Sequence, residues 1–223
     1  MLPAFAHIRA WIFDLDNTLY PASADLFGLM DVRMTAYVGR TLGIDDPVEA
    51  RRIQKSYFQQ HGTTLAGLMA SHAIDPHNYL ADVHDIDLGV LAEDRRLAAL
   101  IARLPGRKLV FTNGDRAYAE RVLAKLGLGE SFEAIHDIHA CGYLPKPEAA
   151  SYASMIAAFG IDPRTSVFVE DMARNLAPAK ALGMTTVWID NGSEQGHDAD
   201  RSFVDHTITD LADWLHSLFG DAA

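Results

Sequence analysis

The chain has 223 residues, 49% of them hydrophobic and 22% charged, with a formal net charge of −11. That balance supports one full core, or a core with an insertion. Its summed field repels a nucleic-acid polymer or an anionic membrane but leaves room for a small anionic substrate where cations gather locally.

In chain order, IRAWIFD (8–14) reads as a buried strand by its length and its β-branched and aromatic content. It stops within WIFDLDNTLY, where Asp14 and Asp16 stand two residues apart. Residues 20–105 are helical throughout, in ADLFGLMDVRMTAYVGRTLGI, PVEARRIQKSYFQQHG, TTLAGLMASHAI and PHNYLADVH. Strands then return in RKLVFTN (107–113), AIHDI (134–138), SVFVED (166–171) and TTVWID (185–190), separated by amphipathic helical stretches that end near a glycine. The closing ITDLADWLHSLFG reads as an amphipathic helix whose Leu211, Trp214, Leu215 and Leu218 cover the sheet. The apolar runs are strand-sized, well short of the ~18 residues a membrane-spanning helix needs.

Alternating strands and helices predict an α/β fold with a mainly parallel sheet covered on both faces. The expected division is a core of residues 1–19 and 106–223, with an all-helical insertion, 20–105, over the carboxyl ends of the strands, where open α/β sheets bind ligands. One cysteine, Cys141, allows no internal disulfide, and the opening MLPAFAHIRA lacks the pattern of a secretory leader, so a cytoplasmic protein is expected.

Side chains i and i+2 of a strand point the same way, so Asp14 and Asp16 converge unless the chain already turns at Asp16. The plainer reading is a strand-end turn in which Asp and Asn bond to backbone amides. Three further stretches favour a site. FTNG ends one strand with Thr112 and Asn113, FVEDMARN ends another with Glu170 and Asp171 and then Asn175, and YLPKPE carries Lys146 between two prolines. Acids from two strand ends around one crevice suit a hard divalent cation held by oxygen, most simply magnesium.

DLDNT, FTNG, the lysine of PKP and EDMARN, in that order and with a helical insertion after the first, resemble the haloacid dehalogenase-like superfamily of phosphatases over essentially the whole chain. The resemblance implies a Rossmann-like parallel sheet in the order 5-4-1-2-3 and an all-helical cap of the first type (C1). It makes Asp14 the nucleophile that takes a phosphoryl group and Asp16 the general acid and base. Thr112, the Asn113 backbone and Lys146 would hold the phosphoryl group. Asp14, the Asp16 carbonyl and Asp171 would bind Mg2+, with Glu170 behind them. Asn175 stands where the family often has an aspartate supporting the lysine, and Lys146–Pro147 resembles a cis bond of many relatives. The dehalogenases of the superfamily lack an acid at the position of Asp16, which favours phosphoester chemistry.

DLDNTLYPASADLF, RMTAYV, HGTTLAGLM, VHDID and EDMARNL are similar to the pyrimidine 5'-nucleotidase branch, which removes phosphate from UMP or CMP. On that resemblance, Thr63 and Thr64 would meet the ribose or base, although a helix N-cap formed by one of them is the plainer reading. Asn17 and Tyr20 would face the leaving group, and Arg33 and Arg52 are candidate cations, with exposed helical faces as the plainer reading. His84, with Asp85 and Asp87, resembles a metal cluster, but a hydrogen-bonded junction is the simpler account. Alternatives are a sugar-phosphate phosphatase or a phosphomutase of the same architecture, or a non-catalytic binding protein. The expected partner is a small-molecule phosphoester, with no nucleic-acid polymer and no membrane; oligomeric state is not legible in the residues.

Overall fold

A computed structural model describes residues 2–192 and 201–220. Its sheet has six parallel strands, β1 (Ala10–Phe13), β2 (Arg107–Phe111), β3 (Ala134–His136), β4 (Ser166–Glu170), β5 (Thr185–Ile189) and β6 (His206–Ile208), in the order β3-β2-β1-β4-β5-β6. The first five strands have the expected order. The short edge strand β6 has only three residues, too few to show a strand pattern in the sequence.

Alternation along the central strands divides the core. Trp11, Phe13, Val110, Val167 and Val169 enter one apolar cluster, and Ala10, Ile12, Leu109, Phe111 and Phe168 enter the other. A strand buried on both faces needs such a continuous apolar run. The first face is covered by α5 (Arg95–Arg103), α6 (Arg116–Lys125) and α9 (Leu211–Ser217), the second by α7 (Ala149–Phe159) and α8 (Leu176–Ala181). Gly106 joins α5 to β2 at φ +78°, and a Cβ there would lie 2.3 Å from the Arg9 carbonyl oxygen, so only glycine fits this turn.

Between β1 and α5 lie α1 (Leu26–Leu42), α2 (Pro47–His61), α3 (Thr64–Ser71) and α4 (Pro76–Val83). Aspartates or threonine cap all four of them: Asp25 for α1, Asp46 for α2, Thr63 for α3 and Asp75 for α4. These helices share a separate cluster of Tyr37, Val38, Leu65, Leu68, Tyr79, Leu80 and Val83, which Ile138 of the loop after β3 also joins. The helical stretch 20–105 therefore divides by packing: α1–α4 build a core of their own, joined to the sheet cluster by Leu26 and Met30 at the start of α1, whereas α5 buries Leu97, Leu100 and Ile101 against the sheet. No described helix is long and apolar enough to cross a membrane.

Candidate active site

Three adjacent strands end together. Asp14 follows β1, and its N–H still donates to the Val169 carbonyl at 2.9 Å; Thr112 follows β2, and its N–H donates to His136 at 3.1 Å. Glu170 closes β4 and Asp171 follows it. Because β2, β1 and β4 are neighbours, residues distant in the chain converge at one sheet edge. Asp14, Thr112, Lys146, Glu170 and Asp171 are all buried.

Lys146 reaches into this edge from the loop after β3. Its Nζ donates to Asp14 Oδ1 at 2.6 Å, to Glu170 Oε2 at 2.7 Å and to the Phe111 carbonyl at 3.0 Å. An ammonium has three donors, so these acceptors use them all. Burial works against the charged lysine, yet the two carboxylates hold its pKa above the usual range. Asp14 is pushed up to about 8, chiefly by burial and next by the charge of Glu170, against the pull of Lys146.

Asp14, Glu170 and Asp171 offer carboxylate oxygens within 4.8 Å of one another. With all three ionised, Lys146 offsets one charge and the group keeps a formal −2. A divalent, oxygen-seeking cation matches both the donor type and this excess. Glu170 is already engaged at both oxygens, by Lys146 and by the Met172 N–H at 3.1 Å.

Asp16 lies in the turn beyond β1 and is only partly buried. The turn bends at Asn17, whose φ of +56° is a conformation asparagine tolerates, and the Asn17 carbonyl accepts from the Asn191 amide at 2.6 Å. Two phenols donate to the same Asp16 oxygen, Oδ1: Tyr20 at 2.6 Å and Tyr118 at 2.8 Å. Burial nevertheless raises the Asp16 pKa, outweighing these two hydrogen bonds.

Several expected residues have other partners. Asn113 uses its side chain on the backbone of Lys146, accepting from its N–H at 2.8 Å and donating to its carbonyl at 3.3 Å. The three acceptors of the Lys146 ammonium are Asp14, Glu170 and the Phe111 carbonyl, so Glu170 supplies carboxylate support beside Asp14, and the Asn175 side-chain oxygen is buried without a hydrogen bond. Thr112 Oγ1 accepts from the Gly114 N–H at 2.9 Å. Lys146–Pro147 is cis.

In the insertion, Thr63 caps α3 by accepting from the Ala66 N–H at 3.0 Å, and the buried Thr64 hydroxyl points to the Gln54 carbonyl at 3.5 Å. Both hydroxyls thus have partners within the insertion, and Thr63 is the helix N-cap. Their turn still adjoins the site, since a Cβ on Gly62 would lie 3.8 Å from Pro145 Cγ, one residue before Lys146. Tyr20 is buried and its hydroxyl donates to Asp16; Arg52 pairs with Glu49 at 2.7 Å, and Arg33 donates to the Asp82 carbonyl. Sequence reasoning passed over Arg174, whose guanidinium carbon lies 5.1 Å from the centre of the Phe58 ring on α2 and whose Nε is buried without a partner.

The haloacid dehalogenase-like hydrolase family profile matches residues 8–183. The chain belongs to this family of hydrolases. It is 28% identical over 192 residues to phosphate metabolism protein 8 of Saccharomyces cerevisiae, covering 79% of this chain and 60% of that protein. The chain thus spans about 60% of the length of that relative. It is 24% identical over 216 residues to (S)-2-haloacid dehalogenase of Xanthobacter autotrophicus, covering 92% of this chain and 83% of that protein. Among solved structures it resembles a HAD phosphatase from Thermococcus onnurineus, with a TM-score of 0.64, 20% identity, and coverage of 96% and 98% of the two chains. That likeness establishes the shared fold.

Proposed function

We propose that this protein is a magnesium-dependent phosphomonoester hydrolase that works through a phosphoryl-aspartate on Asp14, and that its preferred substrates are pyrimidine nucleoside 5'-monophosphates. The observation that carries the reading is Asp16: an acid two residues beyond Asp14, outside the lysine cluster, with its pKa raised by burial. Displacing halide needs no proton donor, whereas expelling an alcohol from phosphorus does.

In the first step an Asp14 carboxylate oxygen bonds to phosphorus as the bond from phosphorus to the ester oxygen breaks. The Asp16 carboxyl passes its proton to that departing oxygen. In the second, Asp16 takes a proton from water as the water oxygen bonds to phosphorus, releasing phosphate and restoring Asp14. Lys146 holds Asp14 in place and offsets its charge. Thr112, with the Asn113 backbone, is the proposed cradle for the phosphoryl oxygens.

Asp14, Asp171 and the backbone carbonyl of Asp16 would hold magnesium, with Glu170 behind them on Lys146. When bound, the cation offsets negative charge where an anionic nucleophile meets an anionic phosphate. The proposed cap is the helical insertion, and the pyrimidine preference rests on the motifs it carries. Asn17 and the Thr63–Thr64 turn, beside Pro145, are its candidate leaving-group contacts.

The test is phosphate release with magnesium from UMP, CMP, dUMP, dTMP, AMP, GMP, sugar phosphates and an aryl phosphate, beside halide release from 2-chloropropionate. Preference for UMP and CMP supports the reading in full. Aryl or sugar phosphate hydrolysis without it removes the nucleotide assignment, and halide release without phosphate release overturns the chemistry.

A further inference from the structure

The hydrogen bonds on Asp16 continue outward to the point where the helical insertion rejoins the sheet. Tyr118, which donates to Asp16, lies flat against His84: the two rings are 4.4 Å apart and inclined by 13°. His84 is the C-terminal cap of α4, the last helix of the insertion's own cluster, and it is buried. Its Nδ1 lies 2.7 Å from Asp115 Oδ2, and it donates to that carboxylate. Asp115 is itself fixed, because its other oxygen caps α6 by accepting from the Tyr118 N–H at 2.8 Å.

A third contact holds the same residue. Arg121 donates to the His84 carbonyl at 3.1 Å and to the Ile86 carbonyl at 3.0 Å. Asp115, Tyr118 and Arg121 are spaced three apart, on one side of α6. One helical face therefore grips the ring, the plane and the backbone of His84. A hydrogen bond to a carboxylate, a ring stack and two hydrogen bonds to carbonyls exceed what a loop return needs to be tethered.

From this geometry we infer that His84 is a positioning residue for Asp16: its ring fixes Tyr118, and the Tyr118 and Tyr20 hydroxyls together hold Oδ1 so that Oδ2 stays directed to the substrate's leaving oxygen. The inference rests on the general-acid reading of Asp16 given above. It ties the orientation of the acid to the docking of the insertion on α6, since His84 belongs to one and Tyr118 to the other. Protons pass only between Asp16 and the leaving oxygen in the first step and the attacking water in the second; Tyr118, Tyr20 and His84 act by position alone.

The leaving group separates positioning from general structural support. An aryl phosphate with a nitrophenol leaving group departs with little need of a proton, whereas an alkyl phosphate such as a nucleotide or glycerol phosphate requires one. The full-length protein with magnesium is compared as wild type, His84→Ala, His84→Phe, Tyr118→Phe and Asp16→Asn on both substrate types, with thermal melting as the fold control. His84→Ala and Tyr118→Phe are expected to lower kcat on the alkyl phosphate about tenfold more than on the aryl phosphate, with KM little changed. His84→Phe, which keeps a stacking ring, is expected to recover part of the loss.

Equal losses on both substrates in Tyr118→Phe, with Asp16→Asn still selective for the alkyl phosphate, overturn the inference and leave the acid reading standing. Equal losses in Asp16→Asn overturn the acid reading, and the inference with it. If His84→Ala does not fold, Tyr118→Phe decides the question, since it removes a single oxygen atom.

Discussion

Asn113 clasps the backbone of Lys146 from both sides: its amide oxygen accepts from the lysine N–H at 2.8 Å, and its amide nitrogen donates to the lysine carbonyl at 3.3 Å. A strand-end residue thus fixes a loop 33 positions later, and the ammonium is aimed by this clasp as much as by its own acceptors. Asn113→Ala removes both bonds and leaves two partly buried backbone groups unpaired, a loss of about 1–3 kcal/mol in stability. We expect kcat to fall about tenfold, the kinetic equivalent of about 1.4 kcal/mol. Chemical denaturation and steady-state kinetics check the two values. An unchanged kcat would show that Lys146 needs no such guide.

The metal-free site carries a pH signature. Asp14 is pushed up to about 8 by burial and by Glu170. A carboxyl whose folded pKa is raised contributes stability fully below its unfolded value, near 3.8, and that contribution is lost as pH rises through about 8. Magnesium must displace the Asp14 proton, so its affinity and its thermal stabilisation should grow between about pH 6 and about pH 8.5. Melting curves with and without magnesium measure this; the same shift at both pH values would contradict it. Chelation is expected to abolish turnover, and added magnesium to restore it.

Arg174 bridges the core loop after β4 and Phe58 of α2, with an unpartnered Nε. Under the nucleotide reading, Arg174 joins the loop that follows Asp171 to the helical insertion whose motifs carry the substrate preference. Arg174→Ala should raise KM for UMP about tenfold, a loss of about 1.4 kcal/mol, while changing KM for an aryl phosphate less than half as much on a logarithmic scale. Paired kinetics on the two substrates provide the check.

Much of the fold and the heart of the site were legible because their signals are local. The strand runs and the DLD, FTNG and EDM endings each lie within a few residues, and the order of the motifs carries the family. What escaped depends on contacts across the chain. Tyr118 reaches Asp16 over 102 positions and His84 reaches Asp115 over 31, and neither pairing leaves a periodic trace. Asn113 was legible as a site residue but not as a clasp, because the side-chain partner is set by where the lysine loop returns. Asn175 stands where the family often has an aspartate, and which carboxylates meet the ammonium, Asp14 and Glu170, is set by contacts across the chain that the motif order does not show. At Thr63 and Thr64 the capping and binding readings predict the same residue types, and the coordinates add the cap bond from the Ala66 N–H to Thr63.

Cys141 sits in the loop that leads to Lys146. Burial pushes its thiol up to about 11, against a smaller pull from the lysine. Little thiolate exists at neutral pH, so a chromogenic disulfide should titrate this cysteine quickly only in denaturant. Fast titration of the native protein would show that this loop opens.

The central claim is that Asp14 carries the phosphoryl group. The most direct measurement is a rapid quench of the protein with magnesium and its best phosphomonoester, borohydride reduction, and mass spectrometry of the peptide containing residue 14. The account predicts that Asp14 is converted to homoserine only when substrate is present, and that Asp14→Asn shows neither this product nor phosphate release. Turnover with no reducible adduct at Asp14, or an adduct on another residue, would contradict it.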